Sequence, residues 1–261
     1  MVCYAEHLGN CNGGISKEHY VSRSVLEAAG GEIQVSGFPW QEKNETKKVG
    51  INSLVSKVLC SYHNSELSSL DASGSSFLEA LRSIFNTTIE EREFSNEIFN
   101  LDGKKTELWL LKIFCGLLAT SKVTKIPGRW VEILFEKELF PDGSGLHIFG
   151  ETGRGIWFFN LVRVFSVQDT NSTNIAGAKF GIGGLAFLLA FGRPNFSESS
   201  MRSILRPDKL SFEKNCKTKE INFTWGEYQP GNSIKIRIEG LVQKGQTNDR
   251  PIVGSWQEDK R

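Results

Sequence analysis

The sequence predicts an α+β fold in three successive parts: a Cys/His-rich N-terminal module, a group of helices and an antiparallel β-sheet. Cysteine and histidine crowd into residues 1–75, and apolar residues recur at spacings of three and four over 76–141. From 143 to 242, β-branched and aromatic runs alternate with turn residues. We therefore expect a metal-binding module at 1–75 and, at 76–261, an α+β domain whose helices pack on the sheet.

Each part contains recognisable elements. In the first, the extended stretches GEIQVSG and VSKVLC lie on either side of the polar loop QEKNETKKVG. The predicted helices are SSFLEALRSIF, TELWLLKIFCGLLAT and RWVEILFEKELF. The predicted strands are GLHIFGE, IWFFNLVRVFSV, IAGAKFGIGG, KLSFE, KEINFTW and SIKIRIEG. The segment after residue 242 is polar, and we expect it to be loosely ordered.

Composition argues against several classes of protein. There are 31 basic and 30 acidic residues, so no overall charge draws the chain to nucleic acid or to anionic lipid. The N-terminus lacks a basic region followed by an apolar stretch, and the most apolar runs are shorter than the roughly 20 residues that cross a bilayer. We expect a cytoplasmic protein without a membrane partner. Any contact with nucleic acid must come from a local patch.

The cysteines favour a metal site. The chain has five, an odd number, and in a reducing compartment cysteines are more often metal ligands, catalytic groups or core residues than disulfides. Cys60 and His63 have the two-residue spacing of a zinc knuckle. Cys3 and Cys11 flank a turn and can complete a tetrahedral site, with His7 as the alternative to one of them. Cys115, within an apolar helical run, is predicted to be a packing residue.

Two further features accompany the predicted zinc ligands. Glu18 and His19 place a carboxylate beside an imidazole, and Asn64 follows the knuckle directly. Alone, a Glu-His pair is more often a surface salt-bridging pair. Together, the Cys-x7-Cys spacing, ISKEH and LCSYHN resemble the HNH nucleases of the ββα-metal group, and most of all their endonuclease VII branch. The resemblance covers residues 3–71. It differs from that branch in a Cys-x-x-His second pair, in a first cysteine pair separated by seven residues rather than two, and in Glu18, where Asp is usual.

The resemblance implies an N-terminal ββα-metal zinc finger and a role for each matching residue. Cys3, Cys11, Cys60 and His63 match the structural zinc ligands. Glu18 and Asn64 match the ligands of a catalytic divalent ion, Mg²⁺ or Mn²⁺. His19 matches the general base, so that Glu18, His19 and Asn64 form the implied catalytic set. The DNA products would carry 5′-phosphate and 3′-hydroxyl ends.

These residue types suit phosphodiester hydrolysis. An imidazole accepts a proton from water near neutral pH, and a hard divalent ion held by oxygen ligands neutralises charge on a phosphate. The candidate phosphate contacts around the site are Lys17, Ser22, Arg23 and Lys57. The predicted function is therefore a metal-dependent endonuclease acting on DNA. The alternative is a catalytically silent zinc-binding module in a nucleic-acid-binding or protein-binding protein, and the even charge balance favours it slightly.

Residues 76–261 contain no pattern with an assigned chemistry. GIGGLA at 181–186 matches a dinucleotide fingerprint, but Gly192-Arg193-Pro194 leaves no room for the required helix, so a hairpin is predicted. His147 alternates with apolar neighbours and is interpreted as a structural residue. This domain is a candidate surface for a homodimer or for a protein partner.

Overall fold

A computed structural model describes most of the chain, in the ranges 3–19, 23, 27, 32–36, 42, 45–89, 93–121, 125–151, 163–168, 175–182, 185–193, 201–226, 231–241 and 252–260. The chain folds into two compact units. The first comprises Met1–Ser76 and Lys105–Phe140, and the second comprises Phe77–Lys104 and Pro141–Arg261. The helical segment 105–140 therefore belongs to the same unit as the N-terminal residues.

Two antiparallel strand pairs lie in the described part of the first unit. Strand β1 (Ile15–His19) pairs with β4 (Val55–Cys60), with Ile15 opposite Cys60 and His19 opposite Val55. Strand β2 (Glu32–Ser36) pairs with β3 (Thr46–Gly50) in a separate ribbon. Short 3₁₀ helices occupy Glu6–Leu8 and Ile51–Ser53. After β1 the chain therefore forms the β2–β3 ribbon, and it then returns as β4 to pair with β1.

The helices follow β4. Helix α1 (Ser61–Glu66) begins where β4 ends, and α2 (Ser68–Ile89) follows after one residue. Helix α3 (Gly103–Ser121) presents Trp109, Leu110 and Leu111 to the core, and α4 (Gly128–Leu134) is shorter than the predicted RWVEILFEKELF. A Cβ on Gly74 would lie 2.2 Å from the Trp109 ring. Glycine is required there because α2 and α3 approach too closely for any side chain.

The second unit contains two five-stranded sheets among its described residues. The first has the order β10-β6-β9-β8-β7, and every pairing is antiparallel. Its strands are β6 (Gly145–Glu151), β7 (Arg163–Gln168), β8 (Ile175–Ile182), β9 (Leu185–Ala190) and β10 (Met201–Leu205). Strands β8 and β9 form the hairpin predicted at GIGGLA, so the dinucleotide-binding interpretation is excluded.

The second sheet has the order β14-β13-β11-β12-β5. Its strands are β5 (Glu97–Asp102), β11 (Lys209–Lys214), β12 (Lys217–Thr224), β13 (Asn232–Leu241) and β14 (Ile252–Lys260). It is a mixed sheet, because β13 runs parallel to β11 and β5 runs parallel to β12. Prediction of a wholly antiparallel arrangement was therefore wrong for this sheet. The predicted α+β class is confirmed.

Two strands of this sheet lie in segments where no strand was predicted. Strand β5 lies between two helices, in a segment predicted to be helical, and it pairs with a strand more than 100 residues later. Strand β14 lies in the segment predicted to be loosely ordered, and it pairs along the full length of β13. Neither pairing is made through a short hairpin turn, so no local turn signal indicates it.

Aromatic packing joins α2 to both sheets within the second unit. The Phe77 ring lies 5.5 Å from the Phe187 ring of β9 in an edge-to-face arrangement, and 6.1 Å from the Phe223 ring of β12. All three rings are buried. Such contacts stabilise aromatic cores by about 0.5–1.5 kcal/mol per pair beyond burial alone.

Among the helices that the structure describes, none has the length and apolar character to cross a membrane.

Candidate metal centre and adjacent charged cluster

Four side chains converge in the first unit: Cys3, Cys11, Cys60 and His63. Their sulfur and nitrogen ligand atoms all lie within 4.8 Å of one another. The three sulfurs lie 3.4, 3.6 and 3.3 Å, in the order Cys3, Cys11 and Cys60, from Nδ1 of His63. This set forms a cluster that can hold a metal ion such as zinc.

The spacing suits a tetrahedral zinc ion. Zinc binds sulfur at about 2.3 Å and imidazole nitrogen at about 2.0–2.1 Å, so a ligand sulfur and a ligand nitrogen are separated by about 3.5 Å. The three measured distances fall on both sides of that value. Three sulfurs and one nitrogen form a saturated donor set, which is typical of structural rather than catalytic zinc.

The ends of β4 and α1 position two of the four ligands. Cys60 ends β4 and is the N-cap of α1, where its sulfur accepts a hydrogen bond from the backbone N–H of His63 at 3.5 Å. One turn of helix brings His63 back beside Cys60. The His63 ring is held edge-on between Tyr62 and Phe135, with ring centroids 5.3 and 5.1 Å away. This packing fixes the direction of Nδ1 toward the sulfurs.

The glycine-rich loop before β1 positions Cys11. Its carbonyl groups accept hydrogen bonds from the start of α1: Ser61 N–H donates to Gly14 at 2.9 Å, and Tyr62 N–H donates to Asn12 at 3.2 Å. Gly13 has φ +79°, and a Cβ there would lie 2.9 Å from Cβ of Ser61. The loop therefore requires glycine both for its left-handed backbone and for its close approach to the helix.

Burial, hydrogen bonds and neighbouring sulfurs shift the pKa values of the four ligand side chains. Burial raises the pKa of Cys3, and desolvation followed by the neighbouring sulfurs raises the pKa of Cys11 to about 12. For Cys60, burial opposes ionisation, but hydrogen bonds from the backbone amides of His63 and Asn12 outweigh it and lower the pKa. Burial lowers the pKa of His63, which keeps the imidazole neutral as a ligand must be. A cation would relieve the repulsion between clustered thiolates.

The predicted alternative ligand, His7, lies elsewhere. It belongs to the short helix Glu6–Leu8, and its Nε2 lies 3.5 Å from the position of a Cβ on Gly128, at the start of α4. His7 is not a member of the four-residue cluster.

Cys115 is fully buried in α3, where burial raises its thiol pKa, so its predicted packing role is confirmed.

A second, charged cluster lies in the same unit. The ammonium of Lys112 on α3 lies 2.7 Å from Oε1 of Glu18 on β1, and 2.7 Å from both carboxylate oxygens of Asp71 on α2. Lys112 is 3% exposed and Glu18 is 8% exposed, whereas Asp71 at 33% reaches solvent. Burial raises the pKa of Glu18, and the charge of Lys112 opposes that effect. The predicted catalytic carboxylate is thus in a buried ion pair.

His19 lies at the edge of this cluster. Its Nε2 atom is buried and has no hydrogen-bond partner among the described residues. Burial, followed by the positive charge of Arg23, lowers the pKa of His19, and the carboxylate of Asp71 acts in the opposite direction. Burial and the charge of Arg23 thus both favour the neutral imidazole.

The other predicted site residues have different surroundings. Asn64 is half-buried on α1, and its backbone carbonyl accepts a hydrogen bond from Leu67. Lys17 and Lys57 are exposed at neighbouring positions of the paired strands β1 and β4. Arg23 is exposed and paired with Glu27 at 2.7 Å. Ser22 lies outside the described residues.

Two residues of the charged cluster have no role in the sequence-based prediction. Asp71 is seven residues beyond Asn64, and the structure brings it to Lys112 beside Glu18. Lys112 is the one charged residue in the run LWLLKIFCGLL. A lone charge in an apolar helix predicts a buried partner, because an unpaired buried ammonium is strongly unfavourable. That signal indicates Lys112 but not the identity of its partners.

The chain matches no protein-family model, no curated protein and no solved structure. Its class is therefore defined by the fold and by the two clusters: an α+β protein with a Cys₃His site that can hold a metal ion.

Proposed function

We propose that this protein is a metal-dependent endonuclease that hydrolyses DNA phosphodiester bonds, with His19 as the general base. Residues 3–71 would form a ββα-metal finger of the HNH type, made of β1, β4 and the helices after them. A structural zinc ion, bound by Cys3, Cys11, Cys60 and His63, would stabilise the fold of this finger. Glu18 and Asn64 would hold a catalytic Mg²⁺ or Mn²⁺ ion.

The observation that carries the proposal is the state of His19. A buried imidazole nitrogen without a partner is uncommon, because burying an unpaired polar atom costs roughly 1–3 kcal/mol. The lowered pKa keeps that imidazole neutral, as a base must be at physiological pH. An available base beside carboxylates supports a catalytic role more than a structural one.

In the proposed reaction, the oxygen of a water molecule attacks phosphorus while Nε2 of His19 accepts the water proton. The bond between phosphorus and the 3′ oxygen breaks, and the leaving oxygen takes a proton from solvent. The divalent ion, when bound, supplies positive charge to the phosphate and to the leaving oxygen. The products carry 5′-phosphate and 3′-hydroxyl ends.

Two lysines support the proposed contact with DNA. Lys17 and Lys57 are exposed on neighbouring strands, and together they present two positive charges on one surface. Phosphate contacts of this kind position a nucleic acid without reading its sequence. Arg23 can contribute only by exchanging its carboxylate partner Glu27 for a phosphate.

The proposal is tested by nicking of supercoiled plasmid with Mg²⁺ or Mn²⁺, with and without EDTA. Wild-type protein should nick DNA, and His19→Ala should lower the rate by about 10²–10⁴-fold. His147→Ala is the matched control, because that imidazole belongs to the second unit and should leave the rate unchanged. Equal nicking by His19→Ala, or none by wild type with either metal, contradicts the proposal.

A second candidate function rests on Glu18. Its carboxylate is occupied by Lys112 within 2.7 Å, which favours a structural role over metal ligation. The chain would then be a catalytically silent zinc-binding module that contacts nucleic acid or a protein partner. Asn64→Ala separates the two functions: it should retain zinc but lose nicking in a nuclease, and it should change neither zinc nor DNA affinity in a silent module.

A further inference from the structure

One of the three sulfurs in the metal cluster faces solvent. Cys11 is exposed, whereas Cys3, Cys60 and His63 are buried. We propose that Cys11 is an oxidation site for peroxides, and that its oxidised sulfur forms a disulfide with Cys60 and releases the zinc ion. This inference rests on the metal centre and not on the nuclease, so it applies equally to a silent zinc-binding module.

Exposure determines which sulfur a peroxide reaches first. Cysteine binds zinc as the thiolate, and the thiolate is also the form that peroxides oxidise. Burial shields Cys3 and Cys60, so Cys11 is the accessible thiolate of the cluster. Because zinc withdraws negative charge from a bound sulfur, Cys11 should oxidise more slowly than the unbound, exposed Cys216 but faster than the two buried ligands.

The loop after Cys11 selects Cys60 as the disulfide partner. Two carbonyl groups of the loop 12–14 accept hydrogen bonds from the backbone N–H groups of Ser61 at 2.9 Å and Tyr62 at 3.2 Å. The Ser61 hydroxyl donates a third hydrogen bond to the same loop at 2.8 Å. These bonds hold the residue after Cys11 against the residues after Cys60. The two sulfurs therefore stay close when the metal leaves, and a modest movement of the side chains can join them.

The reaction takes place in two steps. The Cys11 sulfur attacks one oxygen of hydrogen peroxide, the O–O bond breaks, and a sulfenic acid and hydroxide form. The Cys60 sulfur then attacks the Cys11 sulfur, the S–O bond breaks, and a second hydroxide leaves. Each hydroxide takes a proton from solvent. The two sulfurs lose two electrons, which the peroxide accepts, and a dithiol reverses the change by thiol–disulfide exchange.

Formation of this disulfide removes two of the four zinc ligands. Only Cys3 and His63 remain, whereas a structural zinc site uses four ligands. Because binding of structural zinc contributes to the free energy of folding, its release should destabilise the first unit. The metal content of this unit would thus depend on the balance between peroxide and thiol reductant.

The experiment treats the zinc-loaded full chain with hydrogen peroxide. A chromogenic zinc indicator follows release, and mass spectrometry maps the disulfides after free thiols are alkylated. Wild type should release its zinc and gain the Cys11–Cys60 bond, and dithiothreitol with added zinc should restore the starting state. Cys11→His keeps a zinc ligand but removes the exposed sulfur, so its release should be about tenfold slower or more. Cys216→Ser is the control and should release zinc at the wild-type rate, because that exposed sulfur lies in the second unit.

Several results would overturn the inference. One is wild type that retains zinc while Cys216 becomes oxidised, and another is zinc-loaded Cys11→His that releases zinc as fast as wild type. If Cys11→His binds no zinc, the disulfide map of wild type decides alone, and a map without the Cys11–Cys60 bond overturns the inference. A wild-type chain that binds no zinc removes both the inference and the metal centre. None of these measurements involves nicking of DNA, so failure of the nuclease is recognised separately.

Discussion

Nζ of Lys112 lies 2.7 Å from Oε1 of Glu18, and both side chains are almost fully buried although 94 positions separate them in the chain. The pair joins α3 to β1 within the first unit. Buried ion pairs differ from surface pairs in one measurable way. Removing one partner leaves an uncompensated charge, which costs far more than the pair itself contributes.

We therefore expect Lys112→Met to lower the free energy of unfolding by roughly 3–5 kcal/mol, because the buried carboxyl of Glu18 would lose the cation that compensates its charge. Urea unfolding followed by circular dichroism measures this value. The matched comparison is Arg23→Ala, which breaks the exposed pair with Glu27 and should cost about 1 kcal/mol or less. Similar values for the two variants would contradict the interpretation of Glu18–Lys112 as a buried pair.

Zinc content tests the Cys₃His cluster. Cys60→Ser removes a ligand that is also the N-cap of α1, so we expect the loss of bound zinc and of the fold of the first unit. Elemental analysis and thermal unfolding measure the two effects. Cys216→Ser, at an exposed cysteine in the second unit, should keep one zinc ion per chain and wild-type stability. Full zinc content in Cys60→Ser would exclude the cluster as the binding site.

Thiol reactivity should follow the surroundings of the five cysteines. In the zinc-loaded protein, Cys216 should react rapidly with Ellman's reagent because it is exposed and outside the cluster. A chelator should release Cys3, Cys11 and Cys60 next. Cys115 should react only after unfolding, since burial both shields its thiol and raises its pKa. Rapid reaction of Cys11 before chelation would show that its exposed sulfur does not bind the metal.

Two adjacent glycines give a controlled test of the loop at Cys11. Gly13 and Gly14 both have positive φ, so alanine at either costs roughly 1–2 kcal/mol in backbone strain. A Cβ on Gly13 also meets Ser61 at 2.9 Å, whereas one on Gly14 meets nothing within 4 Å. Gly13→Ala should therefore be less stable than Gly14→Ala by a further ~1–3 kcal/mol, and should bind zinc more weakly. Urea unfolding and zinc competition measure the difference, and equal effects would contradict it.

The acidic limit of cleavage tests the state of His19. Only a neutral imidazole accepts a proton, and the pKa of His19 is lowered from its ordinary value of 6.5. As pH falls, the nicking rate should therefore persist below pH 6.5 and decline only where His19 becomes protonated. Initial nicking rates, measured at a series of pH values and at fixed metal concentration, give the pH at which the rate falls to half of its maximum. A midpoint above 6.5 would assign the limiting proton to another group.

Local pattern predicts what depends on local spacing. The Cys60–His63 pair could be predicted because one helical turn is enough to bring both side chains to one point. The hairpin at β8 and β9 could also be predicted locally, because Gly192-Arg193-Pro194 leaves no room for a long helix after the glycines. Strand β5 and its parallel pairing with β12 could not be predicted, because the partner lies more than 100 residues away. The same limit explains why Asp71 and Lys112 were missing from the predicted site: packing of α2 and α3 against β1 brings them together.

The pairing of β1 with β4 has a consequence for the segment between them. His19 lies opposite Val55, so the segment 20–54 leaves and re-enters the strand pair at the same end. The Cys₃His cluster lies at the other end, where Ile15 is opposite Cys60. The length of a closed loop enters its entropy only logarithmically, at about 0.6 kcal/mol for each doubling. A change in the length of this segment therefore has only a small entropic effect on the pairing of β1 with β4.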